Sequence, residues 1–246
     1  MIAHSLSWSS ISAGYGSVFS LPEEMGILAL DMEMDMLDHQ GTTTLILIRH
    51  GQTAWNDEGR IQGQQDVELD EAGILQAQSL APAVLELEPE YVYASDLVRA
   101  RRTAELATVH LGLPIHIDPR LRERCFGEYE TLTRREIREK FDPHFFSDER
   151  GEPDQFIEGA EMIEDFQTRC VSALSDIAEG HPGRRIALFT HGGVIRSWVC
   201  HWLGIPMTAP RRFKVSNTSI HIFESHPILT WVAGCLGDTR HIKTHT

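Results

Sequence analysis

Residues Thr43-Thr44-Leu45-Ile46-Leu47-Ile48 form an apolar, β-branched run without charge, and the run stops abruptly at Arg49-His50-Gly51. Such a run predicts a strand buried on both faces, the kind found in parallel sheets. Arg and His continue a buried strand poorly, because an unpaired buried charge is costly. Gly51 frees the backbone to turn. Arg49 and His50 are therefore expected at the carboxyl end of a central strand, where open α/β sheets build their sites. Taken alone, the pattern also fits a strand that simply ends at the surface. A second stretch decides between the two. Arg185-Ile186-Ala187-Leu188-Phe189-Thr190 is again an apolar strand, closed by His191-Gly192-Gly193 and followed by a helix from Val194 to Leu203. The two endings can lie side by side if both strands belong to one parallel sheet.

The rest of the chain alternates in the same way. Asp70 caps a helix that Pro82 is expected to kink or interrupt. Tyr91 to Ala94 reads as a short strand. Ser95-Asp96 is expected to cap a helix from Leu97 to Leu111, closed by Gly112 and Pro114. Ile115 to Ile117 is extended, Thr133 to Lys140 a short helix, and Glu149 to Gly159 an acidic loop. Ala160 to Gly180 carries apolar residues at helical spacing. Ser219 to Phe223 and Ile228 to Ala233 read as a terminal hairpin at a sheet edge, and the tail from Gly237 as loose. This order predicts a three-layer α/β/α sandwich with a mostly parallel central sheet. It has a small cap segment at about 120–160.

Charge narrows the function. The chain carries −14 formal charges, which argues against a nucleic-acid surface and requires a local Arg cluster if the substrate is an anion. No apolar run approaches the roughly 20 residues of a membrane span. Cys125, Cys170, Cys200 and Cys235 are dispersed without a CxxC, as expected of reduced thiols in the cytoplasm. Residues 1–41 hold six acids and no Lys or Arg. They read as a flexible acidic extension, with Met36 an alternative start, preceding a catalytic domain over 42–246. Nothing in the sequence fixes an oligomeric state, a homodimer included.

Two further segments carry chemistry. Arg99 falls in the first turn of its helix, where a cation opposes the positive end of the dipole, so it is expected to face an anion. Arg101 and Arg102 lie on other faces and read as solvated. Leu121-Arg122-Glu123-Arg124-Cys125-Phe126-Gly127-Glu128 supplies carboxylates among arginines. Its default reading is an ion-pair network, and spacing does not choose between Glu123 and Glu128 as a proton donor.

Four ordered motifs now stand together: Arg-His-Gly-x-Thr-x-x-Asn, Ser-Asp-x-x-Arg-Ala-x-x-Thr-Ala, Leu-x-Glu-x-x-x-Gly and Thr-His-Gly-Gly. Over about residues 43–224 the chain resembles the histidine phosphatase superfamily. This is the branch of cofactor-dependent phosphoglycerate mutases, fructose-2,6-bisphosphatases and small phosphomonoesterases. The resemblance implies that His50 is a phosphorylated nucleophile and Glu123 the proton donor. Arg49, Arg99 and His191 would bind the phosphoryl group. Asn56, Gln62, Gly63 and the backbone at Gly192 would complete the pocket, with no cofactor and no metal. Phosphoryl transfer gathers charge on three equatorial oxygens, which Arg meets with bidentate, charge-assisted bonds. His50 would attack as neutral imidazole, and His191 would then be free to be cationic.

The compact stretch between Gly127 and Gly159 favours a phosphatase acting on a small phosphorylated metabolite. The alternative is mutase-type transfer, which in this family comes with a longer insertion. Two departures bear on the substrate. Gly159-Ala160-Glu161-Met162 stands where family phosphatases often read Gly-Gly-Glu-Ser, so Glu161 either faces the pocket or is a surface acid. Tyr129-Glu130-Thr131 replaces Trp-Glu-Gly. Phe126, Phe141, Phe145, Phe146 and Phe156 either cover a substrate or, more simply, pack the cap. Two other classes remain: a metal-dependent hydrolase with His50 and His191 as ligands, and a non-catalytic phosphate-binding scaffold.

Overall fold

The computed structural model describes residues 41–146, 156–226 and 230–242. The acidic extension, most of the acidic loop before Gly159, the centre of the terminal turn and the last four residues lie outside them.

The first apolar run forms β1 (Thr44–Arg49) and the second forms β4 (Arg185–Thr190). Between them come β2 (Tyr91–Ala94) and β3 (Ile115–Ile117), and after them β5 (Ile220–His226) and β6 (Thr230–Asp238). The six strands make one sheet in the order β3-β2-β4-β1-β5-β6. β3, β2, β4 and β1 run parallel, and β5 and β6 add an antiparallel hairpin at one edge. β1 and β4 are central neighbours in register, with Arg49 opposite Thr190.

Six α-helices occur among the described residues: α1 (Ala54–Asp57), α2 (Glu71–Glu86), α3 (Val98–Ala107), α4 (Arg134–Lys140), α5 (Ile163–Glu179) and α6 (Gly192–Leu203). The strands alternate their burial between two cores, as a period of two requires. Leu45, Leu47, Ile186 and Leu188 pack with Phe166, Leu174, Val194 and Trp198 of α5 and α6. Ile46, Ile48, Ala187 and Phe189 pack with Leu80, Val84, Ala104 and Ala107 of α2 and α3. The result is the expected three-layer sandwich. A third, smaller core gathers Phe126, Tyr129, Ile137, Phe145 and Ile157 in the cap segment.

Several local expectations are corrected. α2 runs through Pro82 without interruption, because Pro82 and the preceding-turn Gln78 are both exposed, so water can satisfy the freed carbonyl. α3 begins at Val98 and ends at Ala107, short of Leu111. Neither Ser95 nor Asp96 caps it: the Val98 amide donates to Asp66 Oδ1 at 2.6 Å, and Asp96 instead pairs with Arg122. α5 starts at Ile163 rather than Ala160, because Ala160 bridges to Phe126 and the Glu161 amide donates to the Cys125 carbonyl. α6 starts two residues earlier than expected, at Gly192. The short helix α1, capped by Thr53, had no counterpart among the expected elements, and the terminal strands are longer than expected.

Candidate active site

The carboxyl ends of β1 and β4 deliver the two imidazoles to one place. The His50 amide donates to the Thr190 carbonyl at 2.9 Å, and the rings of His50 and His191 stand 5.2 Å apart between centroids. The His50 Nδ1 contacts the Gly51 carbonyl at 2.7 Å. A carbonyl only accepts, so Nδ1 carries the proton and Nε2 keeps its lone pair. Burial, then Arg99 and Arg49, hold the His50 pKa well below the ordinary imidazole value, so the ring is neutral.

Glycine is required where backbones approach His50. The Gly51 amide donates to Thr103 Oγ1, whose hydroxyl donates to the Arg99 carbonyl. This ties the turn after β1 to α3. A Cβ on Gly51 would stand 2.6 Å from the Gly73 carbonyl oxygen at the start of α2.

Arg99, 1 % exposed, is held by its guanidinium: Nη1 donates to the Gln65 carbonyl and Nη2 to the Gly63 carbonyl. Arg49 donates through Nη1 to the Val215 carbonyl at 2.7 Å. Burial lowers both guanidinium pKa values to about 10, and both remain cations at neutral pH. The Nε atoms of both are buried without a protein partner.

Glu123 reaches the first turn of α6. Its Oε2 accepts from the Gly193 amide at 3.0 Å and its Oε1 from its neighbour Arg124 at 2.9 Å. A side chain on Gly193 would collide with Glu123 Oε1 and press on Phe166. The segment carrying Glu123 is braced from α5. Arg169 donates to the carbonyls of Arg120, Arg122 and Glu123, and its guanidinium pairs with Glu161 at 2.7 Å. Glu161 is thus a strut partner and not a pocket residue. Glu128 is exposed, which separates it from Glu123.

A cavity of about 150 Å³ opens here. Arg49, His50, Asn56, Gln62, Gly63, Arg99, Glu123 and Gly192 all line it, so the structure brings together every expected site residue but one. The exception is His191. It is completely buried and does not line the cavity; its Nε2 contacts Ser95 Oγ at 2.9 Å. Burial, then the charges of Arg99 and Arg49, push its pKa well below the ordinary value, so the ring is neutral before a phosphoryl group is bound.

The sequence reading missed other lining residues: Arg60, Arg134, Arg196, Arg211, Phe146, Phe213 and Val215. Phe146, for which cap packing was the preferred reading over cover of a substrate, lines the cavity. Arg211-Arg212-Phe213-Lys214, a dense basic run in an acidic chain, was the available signal. Among the described residues, six arginines and a single carboxylate line the cavity, a positive focus within a chain of −14 charges. Arg134 and Arg211 stack on Phe146, with guanidinium carbons 5.4 and 4.4 Å from its centroid. Of the remaining phenylalanines, Phe126 both packs in the cap core and lines the cavity, Phe145 packs the cap, and Phe141 and Phe156 are exposed. Among the described residues, no three His, Cys, Asp or Glu side chains gather as metal ligands. None of the described helices is long and apolar enough to cross a membrane.

The family model of the histidine phosphatase superfamily (branch 1) matches residues 45–232. The chain is 37% identical over 204 residues to phosphoglycerate mutase-like protein 4 of Arabidopsis thaliana, covering 81% of this chain and 86% of that one. It is similar in structure to phosphoserine phosphatase of Entamoeba histolytica in complex with 3-phosphoglyceric acid. The TM-score is 0.70 at 30% identity, covering 80% and 98% of the two chains. The mycobacterial glucosyl-3-phosphoglycerate phosphatase matches with a TM-score of 0.69 at 26% identity, over 80% of this chain and all of that one.

Proposed function

Because the chain belongs to branch 1 of the histidine phosphatase superfamily, we propose that it hydrolyses small phosphomonoesters through a phosphohistidine on His50. The observation that carries this reading is the tautomer of His50: with Nδ1–H held by the Gly51 carbonyl, Nε2 presents a lone pair in a cavity lined by Arg49 and Arg99. In the first step His50 Nε2 forms a bond to phosphorus while the ester P–O bond breaks. Glu123, protonated, gives its proton to the departing alkoxide. In the second step Glu123 takes a proton from water, whose oxygen displaces the histidine nitrogen and releases phosphate.

Arg49 and Arg99 lie in place before the substrate arrives, so they stabilise charge on the equatorial oxygens with little reorganisation. Their Nε–H groups, buried and unpartnered in the protein, are donors in reserve for an anion. The two oxygens of Glu123 accept the Arg124 and Gly193 amides, which hold the carboxyl at the cavity wall for its proton transfers. His191, neutral and buried, packs beside His50 and becomes a cation only if a phosphoryl dianion enters to offset its burial. Guanidiniums supply the positive charge in this scheme, so the proposed reaction needs no metal. The dispersed thiols support a reducing, cytoplasmic setting.

The names of phosphoserine phosphatase and glucosyl-3-phosphoglycerate phosphatase support hydrolysis and a small phosphorylated metabolite as substrate. The name of the Arabidopsis relative favours the second reading, transfer to a bound phosphoglycerate. A screen of phosphomonoesters with wild type and His50→Ala, with and without chelator, tests the proposal. A mutase assay on 3-phosphoglycerate runs beside it. Hydrolysis lost in His50→Ala and insensitive to chelator supports the phosphatase. Loss of activity to chelator, or interconversion of phosphoglycerates faster than phosphate release, would overturn it.

A further inference from the structure

We propose that Asn217, which does not line the cavity, is a positioning residue that fixes the amide of Asn56 with its NH2 group turned to the phosphate. The inference rests on the phosphate-binding reading above and concerns how that site is oriented.

The two ends of a carboxamide have opposite hydrogen-bonding character, and the surrounding network decides which end points where. Asn217 Nδ2 donates to the His50 carbonyl at 3.0 Å and to Asn56 Oδ1 at 3.1 Å. The His50 carbonyl can only accept, so it fixes Nδ2 of Asn217 as the atom facing inward. That donor then requires an oxygen on Asn56. The Thr53 amide, which can only donate, reaches the same Oδ1 at 3.2 Å, and the Thr53 hydroxyl approaches it at 3.3 Å. With Oδ1 engaged by the protein, Nδ2 is the polar atom Asn56 has left for a ligand, and Asn56 lines the cavity beside His50. The polarity of the phosphate contact is therefore set jointly by the Thr53 amide and by the His50 carbonyl acting through Asn217.

A second observation singles out the same turn. Thr218, the next residue, has a φ of +55°, a conformation that β-branched residues rarely adopt. It is held there by contacts to the catalytic strand: its amide donates to the Arg49 carbonyl at 3.1 Å and lies 3.3 Å from the His50 carbonyl. Its hydroxyl donates to the Asn217 carbonyl at 2.8 Å. Such strain persists where the surroundings over-determine it, and here it places the Asn217 side chain against His50 and Asn56.

The test is a double-mutant cycle read by titration calorimetry with inorganic phosphate on the full chain. Its stoichiometry reports the folded fraction, so a variant that partly unfolds is not mistaken for one that binds weakly. Asn217→Ala is expected to weaken phosphate binding about threefold to tenfold, the size of one hydrogen bond. Asn217→Asp, which sets an acceptor against Asn56 Oδ1, is expected to weaken it more. In an Asn56→Ala background, Asn217→Ala is expected to change the affinity less than twofold. Equal losses in both backgrounds, or no loss in the first, would overturn the assignment. If wild type itself binds no phosphate, the phosphatase reading fails and this one with it. If wild type binds and the cycle shows no coupling, only this one fails.

Discussion

Glu123 and Gly193 are joined across 70 residues of chain by a 3.0 Å hydrogen bond from the Gly193 amide to the Glu123 carboxylate. The bond sets Glu123, the one acid lining the cavity among the described residues, on the first turn of α6, beside the ends of β1 and β4. It also makes the identity of residue 193 a matter of geometry, since any Cβ there meets Glu123 Oε1.

Gly193→Ala is therefore expected to lower kcat by displacing Glu123 and to leave the fold intact. Thermal melting and kcat measured together check this. A variant with unchanged kcat would show that the carboxylate relaxes without consequence.

Glu123→Gln keeps one of the two hydrogen-bond acceptors, loses the other, and removes the transferable proton. Esters of poor leaving alcohols should slow by about 10²- to 10⁴-fold, the range of general acid catalysis, and aryl phosphates much less. Equal losses on both would remove Glu123 from the role of acid.

The buried His50 should act as a base well into the acidic range. Its pKa is held below the ordinary 6.5 by burial and by Arg99 and Arg49. The pH profile of kcat/KM, corrected for ionisation of the ester, is expected to show no limb near 6.5 from this ring. A limb at that pH would contradict the neutral, buried imidazole.

His221 offers a stability measurement away from the cavity. It is fully buried, accepts no charge partner and has its pKa pushed down to about 4 by burial. Ser219 Oγ donates to the Ser216 carbonyl, so it accepts from the His221 Nε2–H at 3.0 Å. The unfolded ring binds its proton near 6.5 and the folded ring near 4, so stability present above 6.5 falls as pH drops through that window. At about 1.4 kcal/mol per unit, the contribution of His221 is on the order of 3 kcal/mol. Chemical denaturation at a series of pH values should give a shallower acid loss for His221→Gln than for wild type. Parallel curves would show that the ring is not neutral in the folded protein.

The sheet and its catalytic edge were legible in the sequence because the signals were local. Two strands with apolar, uncharged interiors, each followed by His-Gly, encode both a parallel pair and the place where it opens. Arg99 was legible as a cation in the wrong half of a helix, and its burial against the Gly63 and Gln65 carbonyls explains the conflict. What stayed hidden depends on contacts remote in sequence. The cap of α3 comes from Asp66, the strut on the Glu123 segment from Arg169, and the orientation of Asn56 from Asn217. The neutral resting state of His191 was not legible, because it follows from depth of burial, which no spacing encodes. Arg134, at the start of α4, and Arg211, in the loop after α6, reach the cavity through the way the cap and that loop pack, which local pattern does not encode.

The account stands most directly on a covalent bond between phosphorus and His50. Wild type quenched during turnover of an aryl phosphate should carry one phosphoryl group on His50, acid-labile and absent from His50→Ala, when peptides are mapped by mass spectrometry under alkaline conditions. Full-rate hydrolysis with no adduct on His50, or an acid-stable adduct on another residue, would contradict it.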